Sequence, residues 1–316
     1  MLKVIQDSNT PATLYIPGMQ ESTPMNEEAT TTLKEIYTAA ESLKKIRPAY
    51  TEIIDYYQQI LIEQESAKNE IELDSLVIPY DHLKAKRKEN LPLINISEFV
   101  IDRSMSKNLL SKICSITEAA NLRASESAAR LKAAINNDGF DFNGLSRAFL
   151  DRDGPVIHKL VSIFGVDEGF LLLATYHSLK PSFEMCAKRL SVHLIDDCHQ
   201  AKGCCPICGS KPKLSLLDKE GKRYLFCGVC WHKWQIRRGF CPICENENID
   251  MQLYFFSNDE KEYRVELCEK CKSYLKCIDS RNTPRVIYPF FELVATVHLD
   301  LRAQADGYHS SSEFVY

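Results

Sequence analysis

Eight cysteines stand in four Cys-x-x-Cys pairs: Cys205–Cys208, Cys227–Cys230, Cys241–Cys244 and Cys268–Cys271. Two thiolates three residues apart can grip one ion from a single tight turn, because the chain curls back around its own sulfurs. Four such pairs make two tetrathiolate sets, the donor chemistry of structural zinc or rubredoxin-type iron. The gap inside the first set is 18 residues and inside the second 23, each long enough for one hairpin to carry a pair back to its mate. Pairing in chain order, first with second and third with fourth, follows from that spacing. Crossed or nested pairings would use the same eight ligands. Pro206 and Pro242 pre-set φ for the turns. Gly209, just after Cys208, can take the left-handed conformation that aims amides at sulfur.

The elements that must position these thiolates are short. Runs of β-type residues at 223–226, 231–236, 252–256 and 262–267 lie between the pairs, with hairpin turns expected at 218–221 and 257–260. This is the layout of a zinc ribbon, with strands carrying thiolate knuckles at their ends. Both sets open with Cys-Pro-Ile-Cys, a weak internal repeat that predicts tandem rubredoxin-like modules over 201–239 and 240–288. Upstream, no glycine occurs from residue 19 to 138, which favours long helices. Ile46, Tyr50, Ile53, Tyr57 and Ile60 recur at helical spacing with Pro48 in a first turn. Further helices are predicted over 97–121, 125–137, 154–164, 167–179 and 181–196, the last with Phe183, Cys186, Leu190 and Leu194 inward. The resulting fold class is α+β. A flexible tail (1–28) precedes a strand-free helical domain (29–200). A polar hinge at 200–203 leads to the two four-cysteine modules, and a C-terminal helix and tail (289–316) follow. That helix, from Pro289 to about Asp306, carries Phe290, Val294, Val297 and Leu301 on one face.

Composition narrows the function. The chain has 316 residues and a formal net charge of −4, which argues against wholesale attraction to nucleic acid or anionic membrane. Residues 201–288 hold 16 Lys and Arg against 11 Asp and Glu, but each divalent tetrathiolate site carries a net charge of about −2, leaving the module close to neutral. A nucleic-acid reader would keep a marked positive face. The most apolar stretch, 156–176, is interrupted by His158, Lys159, Asp167 and Glu168, so no membrane insertion is expected. Residues 1–5 turn polar too soon for a secretory signal. These features predict a cytoplasmic protein, where clustered Cys-x-x-Cys pairs serve as metal ligands rather than disulfides. No Ser-His-Asp set, phosphate loop or dinucleotide fingerprint is legible, and no enzymatic activity is expected. Cys114 and Cys186 read as small core residues. Cys198, Cys204 and Cys277 read as spare thiols, with Cys204 adjoining Cys205 and able to replace it. His232 lies outside the ligand sets. Trp231 and Trp234 read as packing around the second knuckle, with 234–238 as a candidate docking surface.

From residue 203 to 310 the chain resembles the formate dehydrogenase accessory protein family, also called formate dehydrogenase formation protein E. The resemblance runs through Cys-Pro-x-Cys-Gly at 205–209 and Arg-Tyr-Leu-x-Cys-x-x-Cys at 223–230. It continues through Trp234, Arg237, the pair 241–244, Arg-Val-Glu-Leu-Cys-x-x-Cys at 264–271, Lys-Ser-Tyr-Leu-Lys at 272–276 and a last helix to Tyr308. The helical half matches in length and character only, and 310–314 departs from the family's Asn-Pro-Phe ending. The resemblance implies two rubredoxin-like metal modules with iron favoured over zinc. It also implies a cytoplasmic factor that binds the catalytic subunit of respiratory formate dehydrogenase before export and is needed for its activity. The alternative is an electron-transfer or thiol-redox protein acting on that enzyme's active site, since tetrathiolate iron can cycle by one electron and zinc cannot.

Overall fold

A computed structural model describes residues 4–5, 13–16, 25–74, 76–120, 123–194, 202–257 and 260–311. Among the described residues eight helices build the first half: α1 (Met25–Ile46), α2 (Thr51–Lys68), α3 (Tyr80–Lys88), α4 (Arg103–Ala119), α5 (Ser125–Ile135), α6 (Phe142–Asp151), α7 (Gly154–Phe164) and α8 (Glu168–Ser191). Aspartates start four of them. Asp102, Asp141, Asp153 and Asp167 each accept a bond from the backbone N–H three residues on, satisfying one of the donors that a helix start leaves open. Cys114 and Cys186 are buried in the core, as expected.

The structure departs from the sequence reading at several points. The 46–60 stripe is cut after Ile46, which is exposed at the end of α1, and Pro48 sits in a separate 3-10 turn before α2. Helices α1, α3 and α6 are additions to the predicted set, and α1 begins at Met25, inside the segment read as a tail. Strands occur where none is expected: β1 (Val4–Ile5) and β2 (Thr13–Ile16), in the segment read as a tail, pair with each other, and β2 pairs with β3 (Leu76–Pro79) of the helical half. The helices predicted on either side of Pro181 are one, α8.

Pro181 is tolerated because another residue replaces its missing donor. Proline has no N–H, so the carbonyl of His177, one turn earlier, loses its helical partner. Gln64 of α2, fully buried, donates from Nε2 to that oxygen at 2.7 Å. Around it lies a buried ionic cluster in which Glu184 holds Lys180 and Lys68, both at 2.6 Å. Burial alone would raise the Glu184 carboxyl, but Lys180 and Lys68 bring it down to about 2. Burial drives the His177 imidazole down to about 3.

The two modules of the second half share one sheet. Strands β4 (Pro212–Leu217), β5 (Arg223–Cys227) and β6 (Lys233–Ile236) form one antiparallel triplet. β7 (Gln252–Phe256), β8 (Tyr263–Cys268) and β9 (Ser273–Asp279) form the other. A parallel pairing of β4 with β9, Ser215 opposite Cys277 and Leu217 opposite Asp279, fuses them in the order β6-β5-β4-β9-β8-β7. The first hairpin turn falls at Asp218–Lys222, close to its expected place, whereas β4 and β9 are additions to the predicted strands. The predicted last helix is two, α9 (Pro289–Val294) and α10 (Val297–Ala305), followed by a short strand β10 (His309–Ser310) beside β9. Lys276 of β9 causes the break: its buried Nζ donates to Leu293 O at 2.7 Å and to Asp300 Oδ2 at 2.6 Å, holding the end of α9 open. Phe290 and Val294 are buried, but Val297 and Leu301 face outward.

Two outcomes test the Pro181 arrangement. Gln64→Ala leaves a buried carbonyl unpaired and lowers unfolding free energy by about 1–3 kcal/mol; adding Pro181→Ala restores an N–H and recovers most of the loss in a double-mutant cycle by urea denaturation. Acid acts on the same cluster. Both His177 and Glu184 bind protons less readily when folded, so their stabilisation is complete above the ordinary imidazole value of 6.5. It is lost as pH falls, first through histidine and then below the ordinary carboxyl value of 4.5. His177→Gln should flatten the upper part of that loss in urea midpoints measured against pH.

Candidate metal centres

Each knuckle is a tight turn, and in three of them a backbone N–H past the second cysteine closes on the first cysteine's carbonyl. Gly209 N–H donates to Cys205 O at 2.9 Å, Glu245 N–H to Cys241 O at 2.8 Å and Lys272 N–H to Cys268 O at 2.8 Å. All four turns end on a left-handed residue just past the second cysteine: Gly209 (φ 75), Trp231 (φ 55), Glu245 (φ 56) and Lys272 (φ 53). That conformation costs little only for glycine, so three of the four turns accept local strain to keep their shape. Backbone amides turn inward as a result: Val229 and Cys230 donate to Cys227 Sγ at 3.3 and 3.4 Å, and Ile243 to Cys241 Sγ at 3.4 Å.

The eight paired cysteines gather into two groups in chain order, Cys205, Cys208, Cys227 and Cys230, then Cys241, Cys244, Cys268 and Cys271. Within each group every sulfur lies within 4.8 Å of the others. The shortest separations are 3.5 Å for Cys208–Cys227, 3.7 Å for Cys205–Cys230 and Cys244–Cys268, and 3.8 Å for Cys241–Cys271. An ion about 2.3 Å from four tetrahedral sulfurs would set them about 3.8 Å apart, so each group could hold one ion. Soft thiolates at this spacing suit zinc or iron alike.

Protons shared among the sulfurs show why a cation suits the site. Bonds from Cys205, Cys227 and Cys230 drive the Cys208 thiol far below its usual range, while burial pushes Cys205 and Cys230 well above theirs. The charged form is favoured at Cys208 and opposed at Cys205 and Cys230. In the second group burial opposes ionisation of Cys271, yet Ser273 brings it down to about 7. Burial pushes Cys241 and Cys244 up. Ser210 serves Cys208 in the same way at 3.4 Å. Both serines stand two residues past the knuckle, a repeat visible in the sequence that the ligand count alone overlooks.

The two centres differ in surroundings. All four sulfurs of the first are buried, because the helical half clamps both knuckles. Leu93 and Ile94 donate backbone N–H groups to Pro206 O at 3.1 Å and Ile207 O at 2.9 Å. Tyr176 of α8 donates to Val229 O at 3.1 Å and accepts from Trp231 Nε1 at 2.8 Å. Nothing in the sequence marks Leu93, Ile94 or Tyr176 for this work. In the second centre Cys244 and Cys271 are half-buried. Its first knuckle is tied to the other centre, with Lys211 Nζ donating to Ile243 O at 2.9 Å. A Cβ on Gly203 would stand 1.8 Å from Pro242 O, so only glycine allows that approach.

The remaining predicted residues fall outside the groups. Cys204 is half-buried beside Cys205, Cys277 is buried on β9, and Cys198 lies outside the described residues. His232 stacks on Trp234, whose Nε1 donates to Lys202 O at 3.2 Å. Both tryptophans pack as expected, and Arg237 pairs with Glu247. Among the described residues no helix is long and apolar enough to cross a membrane.

Fold and site together define a helical protein clamped onto a fused pair of thiolate-knuckle ribbons. The domain family described as "FdhE, central domain" matches residues 204–238, which span the first centre. The "Protein FdhE homolog" of Aquifex aeolicus is 26% identical over 272 residues, 84% of this chain and 88% of that protein. "Protein FdhE" of Salmonella paratyphi B is 32% identical over 116 residues, covering 36% of this chain and 37% of that one. The crystal structure of the FdhE protein from Pseudomonas aeruginosa superposes with a TM-score of 0.63 at 19% identity, covering 89% of this chain and 94% of that one. Over most of its length the chain is similar to FdhE proteins in sequence and in fold.

Exposure sets the order in which the centres yield. A chelator should remove metal in two phases, the fast one from the centre of Cys244 and Cys271, and Cys244→Ser should abolish that phase alone in a colorimetric release assay. Equal rates from both centres would contradict the burial difference.

Proposed function

We propose that the protein is a non-catalytic assembly factor in the cytoplasm, accessory to respiratory formate dehydrogenase, which it holds through the catalytic subunit until that subunit is active. The observation that carries this reading is the placement of the family-matched segment. Residues 204–238 are the ones that close the first thiolate centre against α8, so helices and ribbons share one packed core. A shared core suits a holding protein, because a pre-formed surface loses little entropy on binding. The eight cysteines are the metal ligands in this reading, and iron is the favoured ion. A bound divalent ion would neutralise the crowded thiolates and cross-link the knuckles, whose short strands could not hold their shape alone.

A second reading, electron transfer or thiol-redox chemistry on the enzyme's active site, is favoured by one observation: Cys244 and Cys271 reach the surface. The two separate experimentally. Purified without oxygen from cells respiring formate, the protein should bring the dehydrogenase catalytic subunit with it, and Cys208→Ser should lose both metal and partner. Absence of the subunit would overturn the assembly reading. Zinc-loaded protein that still supports dehydrogenase maturation would eliminate the electron carrier.

A further inference from the structure

Strand β7 ends the sheet, and its outer backbone edge has no strand beside it among the described residues. Natural sheets protect such edges with lysine, proline or a bulge. Gln252-Leu253-Tyr254-Phe255-Phe256 has none of these. Instead, Leu253 is 48% exposed, Tyr254 61% and Phe256 50%, with Ile249 just ahead at 73%. The opposite edge differs: β6 turns Trp234 and Ile236 into the core, carries the exposed Lys233 and is followed by Arg237 and Arg238. An apolar patch confined to one open edge marks a contact surface.

The face of β7 that carries Tyr254 and Phe256, stacked at 6.2 Å, borders a cavity of about 330 Å³ between the two ribbons. Three arginines, Arg223, Arg238 and Arg264, line it against a single carboxylate, Glu266. Glu266 pairs with both Arg223 and Arg264, so the lining keeps a positive excess with Arg238 exposed at its rim. A second copy of this chain fits poorly. Two-fold antiparallel pairing of β7 with β7 would put both arginine linings on the same side of a joint sheet, where like charges repel.

We propose that β7 is the docking edge for the client: an extended segment of the dehydrogenase subunit, alternating apolar and acidic side chains, adds to it as an antiparallel strand. This rests on the assembly reading above and says where the client sits. Main-chain bonds to the open edge supply affinity. Apolar side chains of the segment cover Leu253 on one face, and its carboxylates, on the face of Tyr254 and Phe256, reach the arginine-lined cavity.

The test measures binding of purified catalytic subunit to the full-length, metal-loaded protein. The double variant Leu253→Asp/Phe256→Asp should bind at least about tenfold more weakly, and Arg238→Glu should weaken binding and reduce its salt dependence. Lys219→Glu, on the far hairpin, should bind as wild type. Metal content equal to wild type shows that each variant is folded; should the double variant lose metal, the exposed Arg238→Glu decides alone. Wild type that binds while both variants bind equally well overturns this docking edge and leaves the assembly reading standing. Wild type that fails to bind overturns both. A wild-type dimer that the double variant splits without changing client affinity would assign the edge to a second copy and overturn the proposal.

Discussion

Four sulfurs brought within 4.8 Å of one another in a buried pocket are a demand for positive charge, and the rest of the molecule is arranged around that demand. Thiolates so close repel, and burial strengthens the repulsion because water is absent to screen it. Bonds from neighbouring sulfurs favour the charged form of Cys208, while burial opposes it at Cys205. A divalent ion relieves the repulsion at all four positions. The strained left-handed residues at Trp231, Glu245 and Lys272 are the local cost of holding sulfurs and amides in that geometry. A turn of this kind persists only where its surroundings over-determine it.

For the first centre the surroundings are the helical half itself. Tyr176 joins one knuckle through Val229 and Trp231, while the chain at Leu93–Ile94 adds two backbone bonds to the other. One hydrophobic core runs from α2 and α8 through Cys205, Cys227 and Trp234 to Phe290. The helices therefore act as the outer wall of a metal centre rather than as a separate domain tethered to it. The second centre lacks such a wall, and two of its sulfurs remain half-open.

The β4–β9 pairing turns two small ribbons into one sheet. It leaves two edges, and the molecule treats them oppositely: β6 carries its tryptophan into the core, β7 leaves aromatics in solvent. Lys276 and Asp300 fold the last helices back over the sheet, so the C-terminal segment braces the junction between the modules. Buried lysines recur in the design. Lys180 and Lys276 are each held by a carboxylate and by the carbonyl or amide oxygens of neighbouring elements, since an unpaired ammonium in these positions would be costly.

What the sequence determined by itself was the chemistry and the local turns. Thiol identity and a spacing of three residues are short-range facts, so the eight cysteines, the left-handed Gly209 and the core roles of Cys114 and Cys186 could be read from neighbours along the chain, whereas which pairs share a site was decided by the fold. Helical periodicity located most of the helices for the same reason. Only the tertiary structure decided what depends on residues far apart. Pro181 reads locally as a helix break, and only Gln64, 117 positions earlier, allows α8 to continue through it. The last helix reads as continuous until Lys276 reaches its carbonyls. The strands β4 and β9 make sense only when laid beside each other, because a strand's partner supplies the hydrogen bonds that its own sequence cannot.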